Sequence, residues 1–379
     1  MALLEQAIQK FFLPALFEES EADLTALRPL LGLGVGEAGL WVPDLGATAK
    51  ANLLASQTIT GSLTESLVTR APLNTVAYSL GASQLRKDCR RDRMIADDGI
   101  LEGLKGASSS LQSRRRMDRA TKTGAWLTVM PDRLNGTDLS ADEFRDSLLL
   151  RFGLTPHSLP HRCEGCQQRF TVEHAMSCKK GGLVLLRHND LSSEWQTLCA
   201  QALSPSAVSD EPLIHNGQGQ QVGGAGGQRT EPLPEIRGDV SAHGFWSRGT
   251  SAIFDIRVTD TECPSQRGME AKVILSRHEE EKKKKYLEHC VRQRKHFTPL
   301  VFSVDGLMGV ECDAARKRLA SRLATKWKRT YSQVCGFVRS RLAIALVRSA
   351  SRCLRWDRNP SIRQSQMPWD SGSGLSLYK

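Results

Sequence analysis

From Leu3 to about residue 125, leucine and alanine recur at three- and four-residue spacings. They are interrupted by polar runs such as GASQLRKDCRRDR and LQSRRRMDRATKTG, and no stretch alternates with period two. That pattern predicts a mostly helical region over 1–125. Further on, Asn135-Gly136 marks a turn, and Ser140 with Glu143 forms a capping box ahead of an apolar-periodic helix carrying Phe144, Leu148, Leu149 and Phe152. GGLVLLRHNDLSSEWQTLCAQAL predicts a short apolar stretch followed by a helix. The glycine density of NGQGQQVGGAGGQRTEP is too high for a packed element and predicts a flexible insertion, 216–230, between two strands.

From Ile236 the period changes. IRGDVSA and SAIFDIRVTD are short, β-branched and turn-bounded, as strands are; MEAKVILSRHEEEKKKKYLEHCVRQR has the charged face of a helix; FTPLVFSVDG is a buried strand; and 311–356 form basic helices. The order strand, strand, helix, strand, helix predicts an α/β domain, a small mixed sheet flanked by helices, over 191–356. It follows a unit of helix plus cysteine cluster over 126–190. A Ser-, Gly- and Pro-rich tail, 357–379, is expected to be disordered.

Composition narrows the class. The chain has 379 residues, 40% of them hydrophobic, enough for real cores, and its ten cysteines are too sparse for a disulfide scaffold, which favours a reducing compartment. The N-terminal MALLEQAIQKFFLPALF is broken early by Glu5 and Lys10 and reads as an amphipathic helix, not a signal peptide. No uncharged apolar run approaches the roughly 18–20 residues that span a bilayer, so a soluble protein without a membrane partner is expected. The net charge of +11 is concentrated: between Ala314 and Trp356 there are twelve Lys and Arg and no Asp or Glu. A concentrated basic surface predicts a polyanionic partner, nucleic acid first. Its candidate contacts are Arg316, Lys317, Arg318, Arg322, Lys326, Lys328 and Arg329, and a nuclear or nucleocytoplasmic location fits such a partner.

CEGCQQRFTVEHAMSC places Cys163, Cys166, His174 and Cys178 at C-x2-C-x7-H-x3-C spacing. Two cysteines two residues apart form the thiolate knuckle that zinc favours, and His174 and Cys178 lie one helical turn apart, so both can face one ion. Four protein ligands leave no open position, which makes the expected zinc structural. His188 in RHND is a spare ligand candidate. The alternative reading is a set of scattered buried cysteines with a core histidine.

Asp239 in RGDV and Asp255 in FDIRV sit on neighbouring predicted strands around the turn-forming HGFWSRG. Taken singly, each reads as a strand-end turn residue. Brought together, two carboxylates in a basic protein call for a divalent cation, and an oxygen-only donor set favours Mg or Mn. The lysine run in EEEKKKKYLEHC is ordinarily a solvated helix face, but a helix following the second acidic strand can aim one lysine at a scissile phosphate.

The cysteine cluster, GG followed by RHND, RGD with a second aspartate some fifteen residues on, the Lys-Tyr helix and PLVFSVDG together resemble the C-terminal part of non-long-terminal-repeat retrotransposon proteins, which carry a zinc knuckle and a restriction-like endonuclease of the PD-(D/E)xK class. The resemblance covers roughly residues 120 to 350. It implies a restriction-endonuclease-like fold and metal-dependent cleavage of DNA, with retroelement RNA as a further partner. Asp239 and Asp255 take the places of the metal-binding aspartates, Lys285 before Tyr286 that of the helix lysine, and Glu194 that of the helical carboxylate of the wider class.

The sequence departs from the pattern at three points. Gly238 stands where proline is usual, Arg257 stands two residues after Asp255 where the general class has lysine, and no aromatic-x-Asp-Asp polymerase motif occurs. The competing readings are a nucleic-acid-binding protein that keeps the fold without cutting, and a zinc-stabilised protein-interaction module.

Overall fold

The computed structural model describes residues 2–215, 235–266 and 268–366. The expected glycine-rich insertion, 216–230, lies outside them, as does the tail after 366. The chain is mixed α/β and divides into two compact units, one of Met1–Leu127 with Leu148–His157, the other of Thr128–Ser147 with Ser158–Lys379.

The first unit is helical, as its period predicts. Short helical segments within residues 2–32 bury Leu13, Phe17, Leu24 and Leu31, and the Arg28 guanidinium clamps Glu5 with bonds of 2.7 and 2.9 Å. Three longer helices follow: α1 (Leu45–Thr69), α2 (Thr75–Ala107) and α3 (Leu111–Ala120). Asp44 caps α1, Asn74 caps α2 and Ser110 caps α3, each accepting from backbone amides of the first turn.

The capping box forms as expected at the start of α4 (Ala141–Phe152): Ser140 Oγ accepts from the Glu143 amide at 3.2 Å, and Glu143 Oε2 accepts from the Ser140 amide at 3.0 Å. In the second unit the cysteine cluster closes on α5 (Val172–Ser177), and the apolar stretch expected ahead of the next helix is part of it, giving one continuous α6 (Leu183–Ala202). Strands β1 (Val208–Asp210), β2 (Leu213–His215), β3 (Ile236–Arg237), β4 (Val240–His243) and β5 (Ser251–Thr259) lead to helix α7 (Ala271–Arg292), strand β6 (His296–Ser303) and helices α8 (Val310–Trp327) and α9 (Tyr331–Arg355). The four-stranded sheet has the order β1-β4-β5-β6, antiparallel except for the parallel β5–β6 pair, while β2 and β3 pair separately. Helix α7 makes the crossover that a parallel pair requires.

Strand β5 is covered on both faces. Ala252, Phe254 and Ile256 join Trp195 and Leu198 of α6, Leu319 and Leu323 of α8 and Val338 and Leu342 of α9 in one core. Ile253 instead meets Tyr286 and Cys290 of α7 together with Phe297 of β6. The two-residue alternation of a strand thus sorts β5 between two helical layers, and Asp255 falls on the α7 side.

The basic helices spend much of their charge within the fold, while Lys317, Lys326, Lys328, Arg329 and Arg339 remain exposed. Arg316 is 5% exposed and bonds Asp313 Oδ1 at 2.7 and 2.9 Å; Lys317 also reaches Asp313. Arg318 and Arg322 donate to the carbonyls of Gly244, Phe245 and Trp246, and Lys326 donates to those of Gln201 and Leu203. On α9, Arg341 pairs with Glu194, Arg352 with Asp190 and Arg355 with Asp146. Apart from Asp313 on α8 itself, the partners of these cations are carboxylates and carbonyls of other elements. Of the seven candidate contacts, Lys328 and Arg329 are the exposed ones with no recorded partner.

The tail expected to be disordered from Asp357 begins instead with a helix, Pro360–Gln366. It is anchored by Arg358, 4% exposed, which donates to the Cys353 carbonyl, and by Arg363, which donates to that of Asp357.

The clearest test of this internal bonding is Asp146, 1% exposed in its side chain, which is held by Arg355 at 2.6 and 3.0 Å and by the Ser351 hydroxyl at 2.7 Å. Arg355→Met strands a buried carboxylate and should cost about 3–5 kcal/mol of unfolding free energy. Urea unfolding measures it, with the exposed Arg329→Met, near zero, as control.

Candidate functional site

The knuckle is built as a small hairpin followed by a helical turn. Cys163 N–H donates to the Gln168 carbonyl and Gln167 N–H returns to that of Cys163, both at 2.8 Å, with Gln167 at φ 62° making the turn. Thr171 caps α5 by accepting from the His174 amide at 3.1 Å, and Cys178 N–H donates to the His174 carbonyl at 2.8 Å, fixing both residues on one face. The four side chains converge. Cys163 and Cys178 sulfurs are 3.8 Å apart, those of Cys166 and Cys178 3.9 Å, and Cys166 Sγ is 3.4 Å from His174 Nε2. All the ligand atoms lie within 4.8 Å of one another.

Tetrahedral bonds of about 2.3 Å to sulfur and 2.0–2.1 Å to nitrogen put adjacent sulfurs about 3.8 Å apart and sulfur and nitrogen about 3.6 Å apart. The cluster matches both separations, whereas a disulfide would need about 2.05 Å. Burial alone would raise the Cys163 thiol, but its hydrogen bonds with His174 and with the Cys166 and Gly165 amides outweigh this and lower it to about 6. The group can hold a metal ion such as zinc. The knuckle is also docked on its own unit: Arg187, 3% exposed, donates to the Met176 carbonyl at 3.0 Å, and the Arg358 guanidinium lies 5.0 Å over the Phe170 ring.

A second constellation lies on the α7 side of the sheet. Val240 pairs with Phe254 in the β4–β5 ladder, so the next step brings Asp239 opposite Asp255. The Asp239 amide donates to the Phe254 carbonyl at 2.9 Å, and the Ile256 amide donates to Asp239 Oδ2 at 2.5 Å. Asp255 is 3% exposed and forms an ion pair with Lys282 of α7. Burial raises its pKa, with the Lys282 charge opposing and the Asp239 charge adding. Tyr286, one turn beyond Lys282 and 4% exposed, is raised by burial and by the neighbouring Asp255 charge. From α6, His188 Nε2 approaches Asp239 Oδ1 at 3.3 Å; that contact raises its pKa against the opposing effect of burial.

The fold therefore brings Asp239, Asp255 and Tyr286 together but differs from expectation in the lysine and in the α6 side chain. Lys285 lies 4.7 Å over the Tyr286 ring, and the amine on the carboxylate is that of Lys282. The signal was present: Leu275, His278, Lys282, Tyr286 and Cys290 follow one another at three- and four-residue steps, so Lys282 shares the buried stripe and Lys285 does not. Glu194 is engaged by Arg341 at 2.9 Å, and His188, weighed as a spare knuckle ligand, is instead the α6 residue at the aspartates.

Two of the three departures, Gly238 and Arg257, have local causes. A Cβ at position 238 would lie 2.5 Å from Ile253 Cγ2, and the Gly238 amide donates to the Pro212 carbonyl at 3.0 Å, a bond no proline could make. Arg257 turns to Glu281 at 2.7 Å.

No protein-family model matches the chain, and the search of curated proteins returns no significant match.

One equivalent of cobalt(II) should bind the purified protein with the thiolate charge-transfer and ligand-field absorption of a Cys3His tetrahedron. Cys166→Ser should weaken binding strongly and expose the knuckle to proteolysis, because its fold energy is largely metal-binding energy. Titration followed by absorbance checks the first outcome, and limited digestion the second.

Proposed function

We propose that the chain is a metal-dependent DNA endonuclease of the restriction-like, PD-(D/E)xK class, descended from a non-long-terminal-repeat retrotransposon protein and acting in the nucleus. Its Cys163-Cys166-His174-Cys178 knuckle holds a structural zinc. The observation that carries this reading is the β4–β5 register, which sets Asp239 against Asp255 while the crossover helix places Lys282 on the same carboxylate.

The donors suit Mg or Mn: two carboxylates, one nearly buried, on adjacent strands whose backbone fixes them. A divalent cation bound there would activate water and offset charge growing on the phosphate. The protein's own groups do the rest. The Ile256 amide holds one oxygen of Asp239 and leaves the other facing His188. The Lys282 side chain, 21% exposed, is long enough to shift from Asp255 to a phosphate oxygen and neutralise it. Tyr286 packs against Phe297 at a ring separation of 5.1 Å, which keeps this turn of α7 on the sheet.

The nucleic-acid track follows exposed cations near the site: Arg169, Lys179 and Lys180 on and after the knuckle, and Lys284 and Lys285 on α7. Phosphate contacts from this set supply affinity without sequence preference, for DNA and for element RNA alike.

Nicking of supercoiled plasmid in Mg or Mn tests the chemistry. Asp239→Ala should abolish it with DNA binding retained, since removing a negative charge does not weaken phosphate attraction. Lys282→Ala should lower the rate on the order of 10²-fold, with Lys285→Ala much milder; equal losses in the two lysine variants would remove Lys282 from this role. A wild type that binds DNA and never nicks it would leave the binding-protein reading.

Binding itself should depend on salt. The double variant Lys179→Glu, Lys180→Glu should flatten the log K against log salt slope by about 2, at about 0.9 per phosphate contact. Fluorescence anisotropy at several salt concentrations reads this slope directly.

A further inference from the structure

Helix α6 brings an imidazole to the acidic pair. His188 Nε2 stands 3.3 Å from Asp239 Oδ1. That separation is at the long end for a hydrogen bond and close to the edge of about 3 Å between adjacent ligands of an octahedron with bonds of about 2.1 Å. The imidazole is held there from both sides in sequence: Arg187 is fastened to the Met176 carbonyl, and Leu191, 1% exposed, is locked in the main core.

Across the pair, Asp255 is 3% exposed, and its solvent-shielded Oδ2 carries the Lys282 ammonium, the position a bound cation would take as that flexible side chain moves off. A nitrogen donor, an Asp239 oxygen and a shielded Asp255 oxygen therefore border one region on the α7 side of the sheet.

We infer that His188 is a nitrogen ligand to the divalent cation held by Asp239 and Asp255, and that it biases the site toward manganese or a later first-row ion over magnesium. This rests on the reading of the two aspartates as cation ligands. Magnesium is a hard ion that prefers oxygen and keeps its waters, so an imidazole adds little to its binding. First-row transition ions gain from nitrogen, so the same side chain adds affinity for them. Glu194, which would have supplied an all-oxygen set from α6, is committed to Arg341.

The test uses the full chain with its knuckle loaded with zinc. Manganese binding is followed by electron paramagnetic resonance, magnesium binding by calorimetry, and nitrogen coordination by electron spin-echo modulation, in wild type, His188→Gln and Asp239→Asn. Glutamine keeps a hydrogen-bonding group for Asp239 but removes the imidazole nitrogen, and circular dichroism with zinc content verifies the fold. Wild type should show imidazole nitrogen modulation on bound manganese. His188→Gln should lose it and bind manganese about tenfold or more weakly, the scale on which even outer-sphere partners act, with magnesium affinity little changed. Manganese without nitrogen modulation in wild type, or equal weakening for both ions in His188→Gln, overturns the inference while leaving the aspartate site in place. Manganese binding unchanged in Asp239→Asn overturns the cation reading of the aspartates as well.

Discussion

The buried carboxylate of Asp255 constrains everything around it. Strand β5 is enclosed by α6, α8 and α9 on one face and by α7 on the other, so a charged side chain in its middle carries a desolvation cost that must be offset locally. Lys282 supplies the opposite charge, Tyr286 lies against the same carboxyl, and Asp239 stands across the ladder. A core built for stability alone would have an aliphatic residue here. The cost of Asp255 makes chemical sense if the carboxylate has something to hold, and the parallel pairing of β5 with β6 forces a crossover helix to pass over it.

The same logic of internal compensation governs the C-terminal helices. Their arginines bind carboxylates on α4 and α6 and carbonyls of the turn after β4, so their charge joins the elements of the unit to each other. Arginine suits this work because its planar fork satisfies several acceptors at once and keeps its charge when half buried. Composition reports how many cations a segment carries and says nothing about whether water or protein surrounds them. Exposed cations remain beside the knuckle at Lys179 and Lys180, on α7 at Lys284 and Lys285, and after α8 at Lys328 and Arg329.

The knuckle and the aspartates are joined through α6. Arg187 fixes the first turns of that helix to the carbonyl of Met176 inside the knuckle, and the next residue, His188, faces Asp239. Arg358 ties the knuckle to the end of α9 by stacking on Phe170 and donating to the Cys353 carbonyl. The knuckle that gathers four ligand side chains within sixteen residues thereby also sets where α6 begins, and with it the position of the imidazole.

The sequence by itself determined the local elements. The capping box at Ser140, the knuckle spacing, the strand character of 251–259 and 296–303 and the helix of 271–292 are each fixed by side chains within a few residues of one another, so their signals are written contiguously. The pairing of Asp239 with Asp255 was also legible, because a single turn joins their strands. What only the tertiary structure decided were matters of long-range choice. These were which lysine of the run reaches the carboxylate, that Glu194 belongs to Arg341 and His188 to Asp239, and that most arginines of α8 and α9 bond to other parts of the protein. Each depends on partners far along the chain, such as Arg341 for Glu194 or Asp146 for Arg355, and on the phase at which a helix meets the sheet. Local propensity is silent on these points, since a buried charge is chosen by the group that compensates it.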